Sequence, residues 1–426
     1  MVSEEVKRIR KEVKKHHKLM KESIPLIASE NLLSPLAKEM LISDFSHRYA
    51  EGEPGKRYYQ GCRYIDEVEV EATNLAKEMF NADFADVRPI SGVLANLSAF
   101  FGLFESGDKL MSLSVPDGGH ISHRKHSAAG LREFDINKIP FDKEKLNIKV
   151  EKTLEKIKKI EPDLILLGGS VFLFPHPIEK IKGTAEDVGA KIIYDGAHVL
   201  GLIAGGKFQD PLREGADLVT GSTHKTFPGP QGGLIYGSSK YEEKIKETIF
   251  PGLVSNHHLH HVAALGVTLG EMKYFAEDYA TQIIDNAKAL AENLYNKGLD
   301  VMGKQNGFTS SHQVLVDVSR FDSGRKVANK LEEANIIVNR NLIPSDKVGE
   351  TESGIRLGVQ ELTRLGMEEE EMKMLSKWIA DLVMEKTEQD KIKEKVIELK
   401  ESFNDLHYCY EGKRANPYKY IDLVNK

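Results

Sequence analysis

In the middle of the chain, short apolar runs alternate with amphipathic stretches of helical period, and this alternation restricts the possible folds more than any other feature. Residues 110–115, 164–168, 191–194, 218–221 and 233–236 read as strands, and 65–80, 93–104 and 150–160 as helices. Strands separated by helices of this size build βαβ units and a largely parallel sheet. Ligands of such sheets lie beyond the carboxyl ends of the strands. Two runs end there in suggestive chemistry: IIYD finishes at Asp195, and VTGSTHK finishes at Lys225. After about residue 275 the character changes. Charged helical stretches at 278–297 and 368–402 bracket the short segments QVLVDVS, IIVN and GIRLG. They read as a smaller α+β domain with Arg356 on a strand facing the larger one. The expected division is an arm at 1–20, a large domain at 21–280 and a small domain at 281–426.

With 426 residues, 40% of them hydrophobic, the chain can bury cores for two or three domains. No apolar run approaches the roughly eighteen residues that span a bilayer. The start, MVSEEVKRIRKEVKKHHKLMKE, is charged throughout and includes acidic residues, so it reads as a solvated helix or arm rather than a signal peptide or presequence. Cys62 and Cys409 are the only cysteines and form no CxxC pair, which fits a reducing compartment. A net charge of −6 gives no general attraction to nucleic acid or anionic membrane. The basic run at 152–159 reads as a solvated helix face. These features lead us to expect a cytoplasmic globular protein, but composition does not choose its function.

Lys225 stands apart from the other lysines by its context. It follows Gly221-Ser222-Thr223-His224 and precedes Gly229-Pro230-Gln231-Gly232-Gly233. Hydroxyls before a lysine can bind phosphate, and glycines after it let backbone approach a flat ring. Lysine becomes a nucleophile towards an aldehyde when burial or cationic neighbours lower its pKa. Asp195, thirty positions earlier, lies one βα unit away and can reach the same sheet edge. A carboxylate there can pair with a protonated pyridine nitrogen, although an Asp followed by Gly196 can also simply cap a turn.

Six motifs carry a resemblance to a known family: 24–31 (IPLIASEN), 48–59 (RYAEGEPGKRYY), 118–120 (GGH), 194–198 (YDGAH), 222–225 (STHK) and 353–358 (SGIRLG). With them the chain resembles the serine (glycine) hydroxymethyltransferases, of archaeal type. The resemblance implies an aspartate-aminotransferase-like (fold type I) α/β enzyme that uses pyridoxal 5′-phosphate to move the hydroxymethyl group of serine to a reduced pterin, leaving glycine. Lys225 would carry the cofactor as a Schiff base, Asp195 would pair with the pyridine nitrogen, His120 would stack on the ring and His198 would lie near its phenolic oxygen. Tyr49, Ser91, Gly92, Ser222 and His224 would belong to the phosphate and ring environment. Ser91 and Gly92 open a helical stretch, and a helix N-terminus suits phosphate. Arg356 and Ser29 would hold the amino-acid carboxylate, for which a guanidinium fork is suited. Glu51 would act as acid/base at the hydroxymethyl group, helped by Tyr58 and Tyr59. The family's site is shared between two subunits, which implies a homodimer.

Each residue also has a plainer reading. His120 and His198 could be satisfied buried histidines, Arg356 could pair with Glu352, and Tyr58 and Tyr59 could be packing aromatics; their joint occurrence in family order argues otherwise. Val93 stands where the family usually has a serine, Gln231 where it has an arginine, and Ser255-Asn256 where it has a glycine pair. The segment 341–352 (NLIPSDKVGETE), in the loop that helps bind the pterin in the family, is short and lacks an aromatic residue. The run GLIAGGK, ending at Lys207, is followed by Phe208 where a phosphate-binding loop needs Ser or Thr. His257, His258, His260 and His261 have no carboxylate or cysteine beside them in sequence, so a polar patch or subunit contact is expected rather than a metal site. The alternatives are a threonine or other β-hydroxy amino acid aldolase of the same fold, and a non-catalytic homologue. The first would not need the YAEG segment, and the second would not need Lys225 with Glu51.

Overall fold

The computed structural model describes residues 2–349, 351–414 and 416–424. Seven strands form the main sheet: β1 (Phe84–Asp86), β2 (Lys109–Ser112), β3 (Asp135–Lys138), β4 (Leu164–Gly168), β5 (Lys191–Asp195), β6 (Leu218–Ser222) and β7 (Gly233–Gly237). Their spatial order is β1-β7-β6-β5-β4-β2-β3. The pairs β5–β6, β4–β5, β2–β4 and β2–β3 are parallel, and β7 runs antiparallel to both of its neighbours. All residues of β4, β6 and β7 are buried, because a sheet covered on both faces leaves no solvent side; β4 and β7 accordingly read as apolar runs, while β6 buries the polar Thr220 and Ser222 at its site end.

Period-two alternation still sorts their side chains. Ile165 and Leu167 pack with Ala72, Ala76, Ile178 and Leu269 on one side. Leu164 and Leu166 pack with Ala95, Phe100 and Ile245 on the other. The result is a helix–sheet–helix sandwich. Helices α1 (Glu4–Lys21), α2 (Arg63–Met79), α3 (Gly92–Leu103) and α4 (Leu259–Asn296) are the long ones before residue 300. No residue of α1 is buried. The smaller sheet is antiparallel, with strands β8 (Asp300–Val301), β9 (Gln313–Asp317), β10 (Asn339–Asn341) and β11 (Gly354–Gly358) in the order β8-β9-β11-β10. No described helix is long and apolar enough to cross a membrane.

Two sequence readings shift. The helix expected from 278 begins at Leu259, and the stretch 368–402 splits into Glu369–Val383 and Gln389–Glu401. The break falls at Glu385, whose φ of 58° places a non-glycine residue in the left-handed region that ends helices.

In the main sheet, Asp195 is in register with Gly168 on one side and Thr220 on the other, so the carboxyl ends of β4, β5 and β6 lie along one edge. The loop after β1 brings the start of α3 to the same edge, where a Cβ on Gly92 would lie 2.3 Å from Ser222 Oγ. The strand ends and this helix N-terminus frame the site.

Candidate active site

A cavity of about 200 Å³ opens at this edge, lined by Ser91, Gly92, Val93, Asn96, His120, Gly169, Asp195, Ala197, His198, Ser222, His224 and Lys225. Eight of the expected cofactor residues therefore converge: Ser91, Gly92, His120, Asp195, His198, Ser222, His224 and Lys225. A larger cleft of about 1020 Å³ lies elsewhere and includes Glu53, Asp86 and Arg88. Its buried cation is already paired, with Arg88 2.5 Å from Asp86 and 2.6 Å from Glu53.

Asp195 ends β5 and is the most heavily supported group in the cavity. His123 Nε2 donates to its Oδ2 at 2.9 Å, Asn96 Nδ2 donates to the same oxygen at 2.9 Å, and the Ala197 amide donates to Oδ1 at 3.1 Å. Burial alone would raise this carboxyl, but the hydrogen bonds from His123 and Asn96 hold it well below the usual carboxylate range. It therefore stays ionised at neutral pH. Asn96 is fixed in turn by Thr220, whose hydroxyl donates to Asn96 Oδ1 at 2.6 Å.

Lys225 is half-buried. Burial is the main cause that lowers its amine to about 8, Asp195 opposes the shift, and Arg356 adds to it. His120 accepts the Ser122 amide at Nδ1 (3.1 Å), which puts its proton on Nε2. Burial lowers it to about 4, so the ring is neutral. His198 has its tautomer set by Gln313. The Gln313 Oε1 accepts the Phe172 amide at 2.8 Å, so its Nε2 must donate, and it does so to His198 Nδ1 at 2.9 Å and to the Ser170 carbonyl at 2.9 Å. The His198 proton therefore sits on Nε2. The ring is stacked on His312 with centroids 5.7 Å apart.

Arg356 on β11 is 8% exposed, and no carboxylate pairs with it among the described residues. It donates to the Ser170 carbonyl at 2.7 Å and to Asn339 Oδ1 at 3.2 Å, and burial lowers it to about 10. The ion pair with Glu352 does not form; Glu352 pairs with Arg340 at 2.9 Å. Beside β11, the segment carrying Ser29 is pinned by Gln360, whose side-chain amide donates to the carbonyls of Ile27 and Glu30, both at 2.7 Å. His312 donates to the Ala28 carbonyl at 3.1 Å. Asn31 reaches the Lys225 carbonyl at 2.6 Å, so this one segment joins the surroundings of Lys225 and of Arg356.

Tyr49, Glu51, Tyr58 and Tyr59 do not line this cavity within one protomer. The three tyrosines are exposed, Tyr58 by 77%. Tyr49 and Tyr59 have ring centroids 5.2 Å apart, and the nearby Glu51 carboxylate raises the Tyr59 phenol above its ordinary value. The histidine run divides as well. His257 bonds Glu69 at 2.7 Å, and His261 donates to the Gln231 carbonyl at 2.6 Å.

Four supporting residues escaped the sequence reading: His123, Asn96, Gln313 and His312. His123 carried a signal, because it follows His120 by three residues in GGHISH. The others are brought in by contacts across 99 residues or more, for which the local sequence has no marker.

These residues fit pyridoxal 5′-phosphate. There is an amine of lowered pKa, an ionised carboxylate with three donors, and a helix N-terminus at Ser91-Gly92 that borders the cavity beside Ser222. The buried Nδ1 of His224 has no hydrogen-bond partner among the described residues.

A family model described as serine hydroxymethyltransferase matches residues 2–379. The chain is 51% identical to the serine hydroxymethyltransferase of Methanocella arvoryzae, covering 97% of this chain and 99% of that protein. It is 53% identical to that of Methanothermobacter marburgensis, covering 98% of each. Among solved structures, an L-threonine transaldolase from Pseudomonas fluorescens in its internal aldimine state superposes with a TM-score of 0.87 at 31% identity, covering 95% of this chain and 94% of that one. With this fold, this site and these relatives, the chain belongs to the serine hydroxymethyltransferase family: fold type I, pyridoxal-phosphate-dependent enzymes of serine-to-glycine conversion.

Proposed function

We propose that the one-carbon unit taken from serine passes to a reduced pterin, with tetrahydromethanopterin preferred over tetrahydrofolate, in a cytoplasmic homodimer whose two sites are each completed by Tyr49, Glu51, Tyr58 and Tyr59 of the partner subunit. The observation that carries the reading is a half-buried lysine of lowered pKa beside an ionised aspartate and a buried arginine with no carboxylate partner among the described residues. Exposed tyrosines grouped around a carboxylate, away from the cavity of their own protomer, support the shared site. The division into an arm at 1–20, a large domain at 21–280 and a small domain at 281–426 belongs to the same proposal.

When bound, pyridoxal 5′-phosphate supplies a protonated pyridine ring that accepts the electron pair left by the departing hydroxymethyl group. The side chains do the rest. With its amine at about 8, Lys225 is neutral in roughly one molecule in ten at pH 7, against about one in a few thousand for an ordinary lysine. Ionised Asp195 holds the proton on the ring nitrogen. Neutral His120 offers a flat face to the ring, and His198 presents an Nε2 proton to an oxygen acceptor. Ser91, Gly92, Ser222 and His224, with Tyr49, hold the phosphate. The Arg356 fork and Ser29 take the serine carboxylate. Glu51 moves the proton at the serine hydroxyl, and Tyr58 and Tyr59 help it and exclude water.

The pterin preference rests on the loop after Asn341. Asp346 Oδ2 closes it by accepting the amides of Ile343 and Ser353, both at 3.0 Å. Without an aromatic side chain, the loop forgoes a stacking contact worth roughly 0.5–1.5 kcal/mol, a several-fold effect on a folate ring. The test is kcat/KM for each pterin with serine. A several-fold preference for tetrahydromethanopterin is expected. Equal values, or a folate preference, would contradict the assignment. Serine cleavage at an equal rate without any pterin would point to an aldolase.

A further inference from the structure

We propose that Asn256 is a positioning residue for Glu51, and that it acts by clamping the loop that carries Glu51 to the start of α4. The inference rests on the reading of Glu51 as the acid/base group.

Residues 48–51 lie outside the regular elements, and the backbone ties Glu51 on one side only, through its carbonyl, which accepts the Tyr58 amide at 3.0 Å. On the other side, the groups of Tyr49 and Ala50 are met by side chains. Asn256 Oδ1 accepts the Ala50 amide at 2.9 Å, and its Nδ2 reaches the Arg48 carbonyl at 3.5 Å. Because the Ala50 N–H can only donate, the facing atom of Asn256 must be its oxygen. Asn256 thus meets one donor and one acceptor of the loop, as a neighbouring strand would. Cys62 contributes a weaker contact to the Tyr49 carbonyl at 3.6 Å. Arg57 Nη1 donates to the Ala50 carbonyl at 2.8 Å and also to the Gly52 carbonyl.

The clamp is anchored at its far end. His257, the residue after Asn256, bonds Glu69 at 2.7 Å, and Glu69 takes Arg57 Nη2 at 2.7 Å. The path from Asn256 to Ala50, Arg57, Glu69 and His257 runs through hydrogen bonds, and the peptide bond between Asn256 and His257 closes the ring. The side chains of Arg57 and Glu69 are only 3% and 5% exposed, so water and salt weaken their bond little. Arg57 and Glu69 are near the loop in sequence, whereas Asn256 is 206 positions from Ala50. Asn256 and His257 therefore tie a local hairpin to the main body of the protomer. Glu51 is the next residue after Ala50, so its direction follows that of the clamped peptide.

The test compares Asn256→Ala with Asn256→Asp, which keeps an oxygen acceptor for Ala50. In the cofactor-loaded protein, hydrogen exchange of the Ala50 amide should accelerate about tenfold or more in Asn256→Ala and stay within about threefold of the parent in Asn256→Asp. The kcat for serine should fall about tenfold in Asn256→Ala and recover in Asn256→Asp, as expected for a misdirected group. KM for serine should stay within about twofold, because the substrate carboxylate is held elsewhere. If Asn256→Ala fails to fold, Asn256→Ser takes its place in the same comparison. Unchanged Ala50 exchange, or faster exchange with kcat intact, overturns the proposal. Glu51→Gln separates the two readings. Full serine turnover in that variant refutes the acid/base role of Glu51, while Ala50 exchange still decides whether Asn256 holds the loop.

Discussion

Replacing Arg356 with methionine separates a substrate anchor from a structural cation. The guanidinium is buried with no carboxylate partner among the described residues, and lowering it from 12.5 to about 10 corresponds to a cost of about 3 kcal/mol for keeping it charged. Its two hydrogen bonds, to the Ser170 carbonyl and to Asn339, return an amount of the same order. The Ser170 carbonyl keeps the Gln313 donor when the arginine is removed, so it is not left unsatisfied. Arg356→Met should therefore change the unfolding free energy of the substrate-free protein by no more than about 1 kcal/mol, whereas removing half of a buried ion pair costs roughly 3–5 kcal/mol. Serine binding should behave in the opposite way, weakening by about a hundredfold or more as the bidentate charged contact is lost. Arg356→Lys should also bind serine poorly, since it keeps the charge but not the fork. The assays are denaturant unfolding of the cofactor-loaded protein and calorimetric titration with serine, with ethanolamine, which lacks the carboxylate, as the control. A loss of stability above about 3 kcal/mol with serine affinity unchanged would refute the reasoning.

Two further outcomes follow from the buried charges. Asp195→Asn should still bind the cofactor but turn serine over about a hundredfold more slowly or worse, because the ring nitrogen loses its anion; a loss below about tenfold at matched cofactor occupancy would contradict the role of Asp195. Burial raises the Glu361 carboxyl to about 7, and the charge of Lys400 opposes that shift. In Lys400→Met the folded-state value rises further above the unfolded one, so the stabilisation is present at low pH and is lost as pH climbs through the folded value. Burial also lowers Lys400 to about 8, so both groups are charged only in a window of about pH 7 to 8, and the variant should lose more stability near pH 7.5 than near pH 5.5; equal losses at both would contradict the coupling.

The sheet was legible because strands covered on both faces are largely apolar, and Leu164–Gly168 (LILLG) and Gly233–Gly237 (GLIYG) carry that mark. The first half of α4 was not. Val262, Ala263, Ala264 and Leu265 are all buried, so there is no polar face to reveal the helical period. The split after Val383 was hidden for another reason: Glu385 takes the left-handed conformation with no glycine or proline to announce it. At the site, Asp195 and Lys225 were readable from their places after strands. Asn96, which helps to keep Asp195 ionised, and Gln313, which sets the tautomer of His198, were not, because the fold brings them from distant segments. The loop bearing Glu51 stood out by motif alone, and within one protomer it lies outside the cavity.

The central claim is that Lys225 carries the cofactor. Borohydride reduction of the cofactor-loaded protein followed by peptide mapping tests it directly, since reduction fixes the cofactor to the amine that holds it. Lys225 should carry the label in the parent, and Lys225→Ala should retain none. Label at another lysine in the parent, or covalent label persisting in Lys225→Ala, would contradict it.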